Sequence, residues 1–273
     1  MGIWCMLVPL GSTIMFILAP SLTGRWDWEG VWWFCLFYTA IIGVFFYIFI
    51  RSDPQTSFDQ AGPTPTGQLQ GKNLRRVLRN RDLWLVSLVF CCFNFAYVTF
   101  LTWAPAFLHQ IRHATIPRAS LLVSVTSILT IMAGPMAGWI SDKINSRKVI
   151  CTVPLLLMAF LFPLSSSVSE DLFLILAAGI GLAAGFIPAG VFSGAVEVVG
   201  DERVAGMAMA VVQIGQNSGM LLGPLVFGWI VQSPGGLGGA LGGVSGGGWQ
   251  TAFWILAPVS ILGAVSGWVA RMR

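Results

Sequence analysis

The chain has 273 residues, 56% of them hydrophobic and only 10% charged, against roughly 25% charged in a soluble domain. So little charge cannot cover a water-soluble globule, which excludes an ordinary soluble enzyme or binding domain and makes the chain an integral membrane protein, with the spanning helix as its unit. The net charge of +4 is gathered on one side of the membrane, as the loops show, and is not a nucleic-acid footprint.

A spanning helix needs roughly 20 mostly apolar residues. That rule predicts eight spans, at about 2–20, 29–50, 83–108, 119–140, 148–166, 171–196, 204–231 and 250–270. Met1 runs straight into apolar sequence with no basic segment, so no cleavable signal peptide is expected. Pro9, Pro20, Pro105, Pro135, Pro154, Pro163, Pro188, Pro224 and Pro258 fall in or at the ends of spans, where neighbouring helices can satisfy the freed carbonyls. Cys5, Cys35, Cys91, Cys92 and Cys151 lie in apolar runs without metal-ligand spacing and read as small buried hydrophobes.

Residues 52–72 are rich in Pro, Gly, Gln, Ser and Thr. They cannot bury enough apolar area to fold and read as a flexible linker. Residues 73–82, NLRRVLRNRD, read as a short basic surface helix against anionic headgroups. Residues 234–248 are a glycine-rich loop with no lysine and no strand-to-helix context for a phosphate site.

With 51–82 placed in the cytoplasm, that side holds Arg51, Lys72, Arg75, Arg76, Arg79, Arg81, Lys143, Arg147, Lys148, Arg203, Arg271 and Arg273, and the other only Arg25, Arg112 and Arg118. Twelve against three sets the orientation, and eight spans then put both termini inside. The cell (inner) membrane is the expected location. The two ends of the chain also resemble each other. In each, a Gly/Pro-rich helix leads to an outer loop and a Trp-x4-Trp pair, Trp28 with Trp33 and Trp249 with Trp254. Equivalent elements on either side of a long linker suggest two homologous halves.

Between spans four and five stands GPMAGWISDKINSRK, residues 134–148. Gly134 and Gly138 share a helix face that lets a neighbour come close. Asp142 and Lys143 end one apolar run, and Arg147 and Lys148 open the next. This stretch resembles the hallmark loop of the major facilitator superfamily, Gly-x3-Asp-(Arg/Lys)-x-Gly-(Arg/Lys)-(Arg/Lys). Gly138, Asp142, Lys143, Arg147 and Lys148 match its residue types. Asn145 stands where the pattern has Gly, and the basic pair comes one residue late. GIWCMLVPLGSTIMFILAP and GVWWF further resemble the cyanate permease-like branch. The resemblance implies an all-α major facilitator-type bundle of about eight helices, corresponding to helices five to twelve of a twelve-helix carrier and N-terminally incomplete. Residues 1–51 would be the last two helices of the N-terminal bundle, 52–82 the cytoplasmic linker, and 83–273 the six-helix C-terminal bundle. A further chain or segment would supply the first four helices.

The same resemblance implies rocker-switch alternating access for a small polar or anionic solute. Gly138, Asp142, Lys143, Arg147 and Lys148 would gate it, with Arg203 as a further cation and Glu197 as the natural partner of the basic loop. The solute would meet Asn94 and Tyr97, three apart on one face, and Trp103 nearer the outer end. Gln213, Gln216 and Asn217, at i, i+3 and i+4, should face the bundle interior, because amides facing lipid are costly. Hydroxyls at 124, 126, 127 and 130 are expected to bond their own backbone. The ladder Gly215, Gly219, Gly223 is expected to serve close packing, and His109 and His113 read as ordinary outer-surface histidines. No ionisable residue lies mid-span, and no nucleophile–base pair or metal cluster is apparent, so neither an enzyme nor a cofactor is expected. The alternative reading is a truncated, non-transporting half-carrier that acts as an assembly partner or sensor in the membrane.

Overall fold

The computed structural model describes residues 7–49, 75–144, 146–201, 204–232 and 247–271, without the side chains of 141, 142, 144 and 247. The linker at 52–72, Arg203, the Asp142 side chain and most of the glycine loop lie outside them. Among the described residues every long element is a helix: α1 Leu7–Phe49, α2 Arg81–Gln110, α3 Ile116–Ile144, α4 Arg147–Ser165, α5 Glu170–Val199, α6 Ala205–Gln232 and α7 Gly247–Val269. All seven are long and apolar enough to cross a membrane, and the chain is a multi-pass integral membrane protein.

Helices α2 to α7 follow the predicted spans closely, because each apolar run is bounded by residues that stop a helix. The Asn80 side-chain oxygen accepts from the backbone N–H of Asp82 at 3.0 Å and caps α2. Gly200, at φ 65°, closes α5 in the left-handed conformation. Ahead of α2 a basic helical turn at 75–78 buries Val77 and exposes Arg75, Arg76 and Arg79. Trp84 Nε1 donates to Leu78 O at 2.8 Å and ties that turn to the bundle.

The first two predicted spans are both helical within α1. Its range holds two helices that meet at a kink, where Trp26 (φ −132°, ψ 21°) and Asp27 (φ 57°, ψ −168°) leave helical geometry. Gly30 comes back against Trp26 and Leu22 there. The outer loop expected between the spans is reduced to this two-residue turn. Every residue from Leu36 to Phe49 is exposed, whereas the part before the break packs mainly along α3.

Two seams organise the six-helix block, α2 against α6 and α3 against α5. In the first, Gly215, Gly219 and Gly223 lie on the backbone of Ser87, Cys91 and Phe95, where any Cβ would overlap a carbonyl oxygen. Ser87 Oγ donates across the seam to Val211 O at 2.8 Å. In the second, Gly181 and Gly185 meet the Thr126 and Thr130 backbone. In lipid, where helix association gains little from the hydrophobic effect, such backbone proximity is the main source of packing energy. The glycine ladder therefore has the packing role expected of it.

Polar links close both ends. At one end Arg147 Nε lies 2.7 Å from Glu197 Oε2, Asn80 Nδ2 donates to Val198 O at 3.3 Å, and Arg271 N donates to Asp82 Oδ1 at 3.4 Å. At the other, Arg118 Nη2 lies 3.0 Å from Glu170 Oε2 and Arg112 Nη2 donates to Ser166 O at 3.1 Å. The helices therefore alternate in direction, up and down, as the loop charges require. Beneath the Arg112 end Phe107, Phe227, Trp249 and Phe253 pack edge to face, with Phe227 and Phe253 5.3 Å apart at 83°. Trp249 is buried there, while Trp28, Trp33 and Trp254 are exposed, so the two tryptophan pairs are alike in spacing but not in environment.

Candidate functional site

A cavity of about 830 Å³ opens between the first part of α1 and helices α2, α3, α5 and α6. None of the residues lining it comes from α4 or α7. Its size suits a small organic molecule. Two of the block helices that form it, α2 and α6, carry the residues expected to meet the solute. The contribution of α1, with Ser12, Phe16 and Thr23 among its lining residues, was not foreseen, because nothing in the α1 sequence marks a face.

Asn94, Tyr97, Gln213 and Gln216 all line the cavity. Asn94 and Tyr97 are nearly inaccessible from outside, at 4% and 7% exposure, because they share the face of α2 that turns inward. Asn94 Nδ2 donates to Phe90 O at 2.8 Å. The Tyr97 ring stacks on Phe93, with centroids 5.3 Å apart at 13°, and its hydroxyl lies 3.1 Å from Thr130 Oγ1. Thr130 in turn lies 2.8 Å from Thr126 O and 3.0 Å from Gly181 O. Its hydroxyl bonds its own helix, as expected, and also joins three helices at the cavity wall. Sequence reasoning weighted it too lightly, since the partner is 33 residues away and carries no local signal.

Trp103 and Asn217 are not among the lining residues. Trp103 Nε1 donates to Pro224 O at 3.1 Å, and its ring belongs to the aromatic cluster, 5.8 Å from Phe227. Asn217 is exposed and donates to Gln213 O of its own helix at 2.8 Å. On a helix Gln216 and Asn217 sit about 100° apart, on either side of Gln213. Gln216 is the one that shares the cavity with it.

At the Arg147 end the residues expected to gate fall into two groups. Arg147 and Glu197 form the ion pair anticipated between the basic loop and the end of α5, each about one-third exposed. Lys143 lies instead over the Trp139 ring, 5.2 Å from its centroid. Lys148 is half-buried, and Gly138 has open space where a Cβ would be. Asp142 and Arg203 lie outside the described side chains. At the opposite end His109 Nδ1 is 2.9 Å from Ala114 O, and His113 takes a left-handed turn at φ 57°.

The described residues include no group of three or more His, Cys, Asp or Glu that could hold a metal. A membrane bundle with a closed polar end, glycine seams and a central uncharged cavity has the architecture of a solute carrier. The family comparison agrees with this architecture. The Major Facilitator Superfamily profile matches residues 1–224 and again 109–273, and the chain belongs to that family. A hexuronate transporter of Bacillus subtilis is 20% identical over 85% of this chain and 58% of its own. A probable galactarate/D-glucarate transporter of Pseudomonas putida is 35% identical over 27% of this chain and 16% of its own. A chloroplastic ascorbate transporter of Arabidopsis thaliana is 22% identical over 52% and 28%. The chain thus spans just over half the length of the Bacillus relative.

Proposed function

We propose that the chain is part of a secondary transporter for small hydroxylated organic anions of the sugar-acid type, working by alternating access. The observation that carries this reading is the cavity. Asn94, Tyr97, Thr130, Gln213 and Gln216 give it uncharged hydrogen-bonding groups in an otherwise apolar wall, and such groups can orient a polyhydroxylated solute. The names of the relatives, hexuronate, galactarate/D-glucarate and ascorbate, fit that chemistry. In this reading residues 1–51 and 83–273 belong to the two rocking bundles, joined by 52–82. The Arg147–Glu197 pair, with Gly138, Asp142, Lys143, Lys148 and Arg203, works as the cytoplasmic gate, and both termini face the cytoplasm.

Uptake of radiolabelled D-glucuronate into vesicles carrying the chain tests this reading. Accumulation above empty vesicles, slowed by Asp142→Asn at unchanged expression, is the expected result. Cyanate in the same assay tests the finer resemblance to the cyanate permease-like branch. A second reading, the half-carrier that serves as an assembly partner, draws on the fully exposed run Leu36–Phe49. It predicts no flux of any solute from the chain alone or with a partner.

A further inference from the structure

We propose that the Tyr97 hydroxyl faces the cavity as a hydrogen-bond acceptor, so that it reads a hydroxyl proton of the solute and not its carboxylate, and that Thr130 is the positioning residue that sets this polarity. The inference deepens the hydroxy-acid reading above and rests on it.

The argument counts protons. A threonine hydroxyl has one proton to give, whereas backbone carbonyls have none. Thr130 Oγ1 lies 2.8 Å from Thr126 O and 3.0 Å from Gly181 O. If its proton pointed at Tyr97, two oxygen pairs would meet at 3.0 Å or less with no hydrogen between them, which is repulsive in a low-dielectric interior. The Thr130 proton therefore goes to the carbonyls. The 3.1 Å contact with Tyr97 must then be a bond in which Tyr97 donates. With its only proton spent and its ring held by Phe93, Tyr97 has only oxygen lone pairs left to offer, one side of them beside the Ser127 hydroxyl. Asn94 does not share this bias: one amide N–H goes to the Phe90 carbonyl, and the second N–H and Oδ1 leave it both donor and acceptor. An acceptor at Tyr97 favours a solute O–H group and disfavours a carboxylate, which only accepts.

Calorimetry on the purified full chain in detergent tests this, with D-glucuronate, its monodeoxy analogues, D-glucose and the monodeoxyglucoses as probes. Wild type should bind at least one monodeoxy acid about tenfold more weakly than the parent. Tyr97→Phe should bind the two alike. A deoxyfluoro acid, which can accept but not donate, should bind wild type as weakly as the deoxy acid. Thr130→Val, which releases the Tyr97 proton toward the solute, should bind the deoxyfluoro acid more tightly than the deoxy acid, and Thr130→Ser should restore the wild-type pattern. Thermal melting of each variant separates lost folding from altered selectivity, and Thr130→Ala serves if the valine variant does not fold. Equal binding of every analogue by wild type overturns the proposal. So does equal binding of the deoxy and deoxyfluoro acids by both Thr130→Val and Thr130→Ala. If glucuronate fails to bind but glucose binds with the same dependence on one hydroxyl, the acid reading falls and the Tyr97 acceptor stands. If neither binds, both are overturned.

Discussion

The block α2–α7 and the kinked element α1 are equally apolar in sequence and are packed quite differently. In the block, glycines bring backbones together, and side chains such as Ser87 and Thr130 bond across the seams. Beyond its break α1 has neither. Its Gly43 meets nothing within 4 Å, and Leu36 to Phe49 are all exposed. Hydropathy alone makes a helix enter a bilayer, but residues that allow close approach or bond across helices make it join a bundle. A site built from α2, α3, α5 and α6 therefore has firm walls, and the wall supplied by α1 rests chiefly on α3.

The largest effect should come from breaking a seam. Gly219→Leu drives a side chain into the Cys91 carbonyl and should abolish a folded, monodisperse species on size exclusion, while Gly43→Leu should leave elution unchanged. Next is the aromatic cluster. Trp249→Ala removes a buried ring beside Phe107 and Phe227 and should cost about 3–5 kcal/mol in denaturant or thermal unfolding. Trp28→Ala, at the matching position of α1 but exposed, should cost under about 0.5 kcal/mol. A large loss from Trp28→Ala would mean that α1 has packing partners beyond α3. The smallest effect concerns the gate. The Arg147–Glu197 pair is partly exposed and contributes no more than about 1 kcal/mol. Arg147→Glu should therefore change uptake by up to about fivefold with little loss of melting temperature, and the charge swap with Glu197→Arg should recover it.

Much of this was legible in the sequence. The helices α2 to α7 and their alternating direction follow from apolar length and loop charge, since most of those ends carry Asn, Gly, Asp or Arg. The Arg147–Glu197 pair was also within reach, because the two loops expected on that side hold few charges. The division of α1 into two helices was legible as well, as two apolar runs on either side of RWDWE; that two residues suffice for the turn was not. Asn217 misled because a face defined by i, i+3 and i+4 is wide enough to straddle two environments. Trp103 misled because its indole N–H found a carbonyl at Pro224. Thr130 was hidden for a different reason: its importance depends on three helices meeting, and periodicity within one helix cannot show that.

The central claim is that solute sits among Asn94, Tyr97, Gln213 and Gln216. It is tested most directly by Gln216→Cys in a background with Cys5, Cys35, Cys91, Cys92 and Cys151 replaced, labelled with a small water-soluble thiol reagent in vesicles that take up glucuronate. Saturating glucuronate should slow labelling at position 216 by about tenfold and leave labelling of a Trp254→Cys control on the exposed face unchanged. Uptake of glucuronate with no protection at position 216 would contradict it.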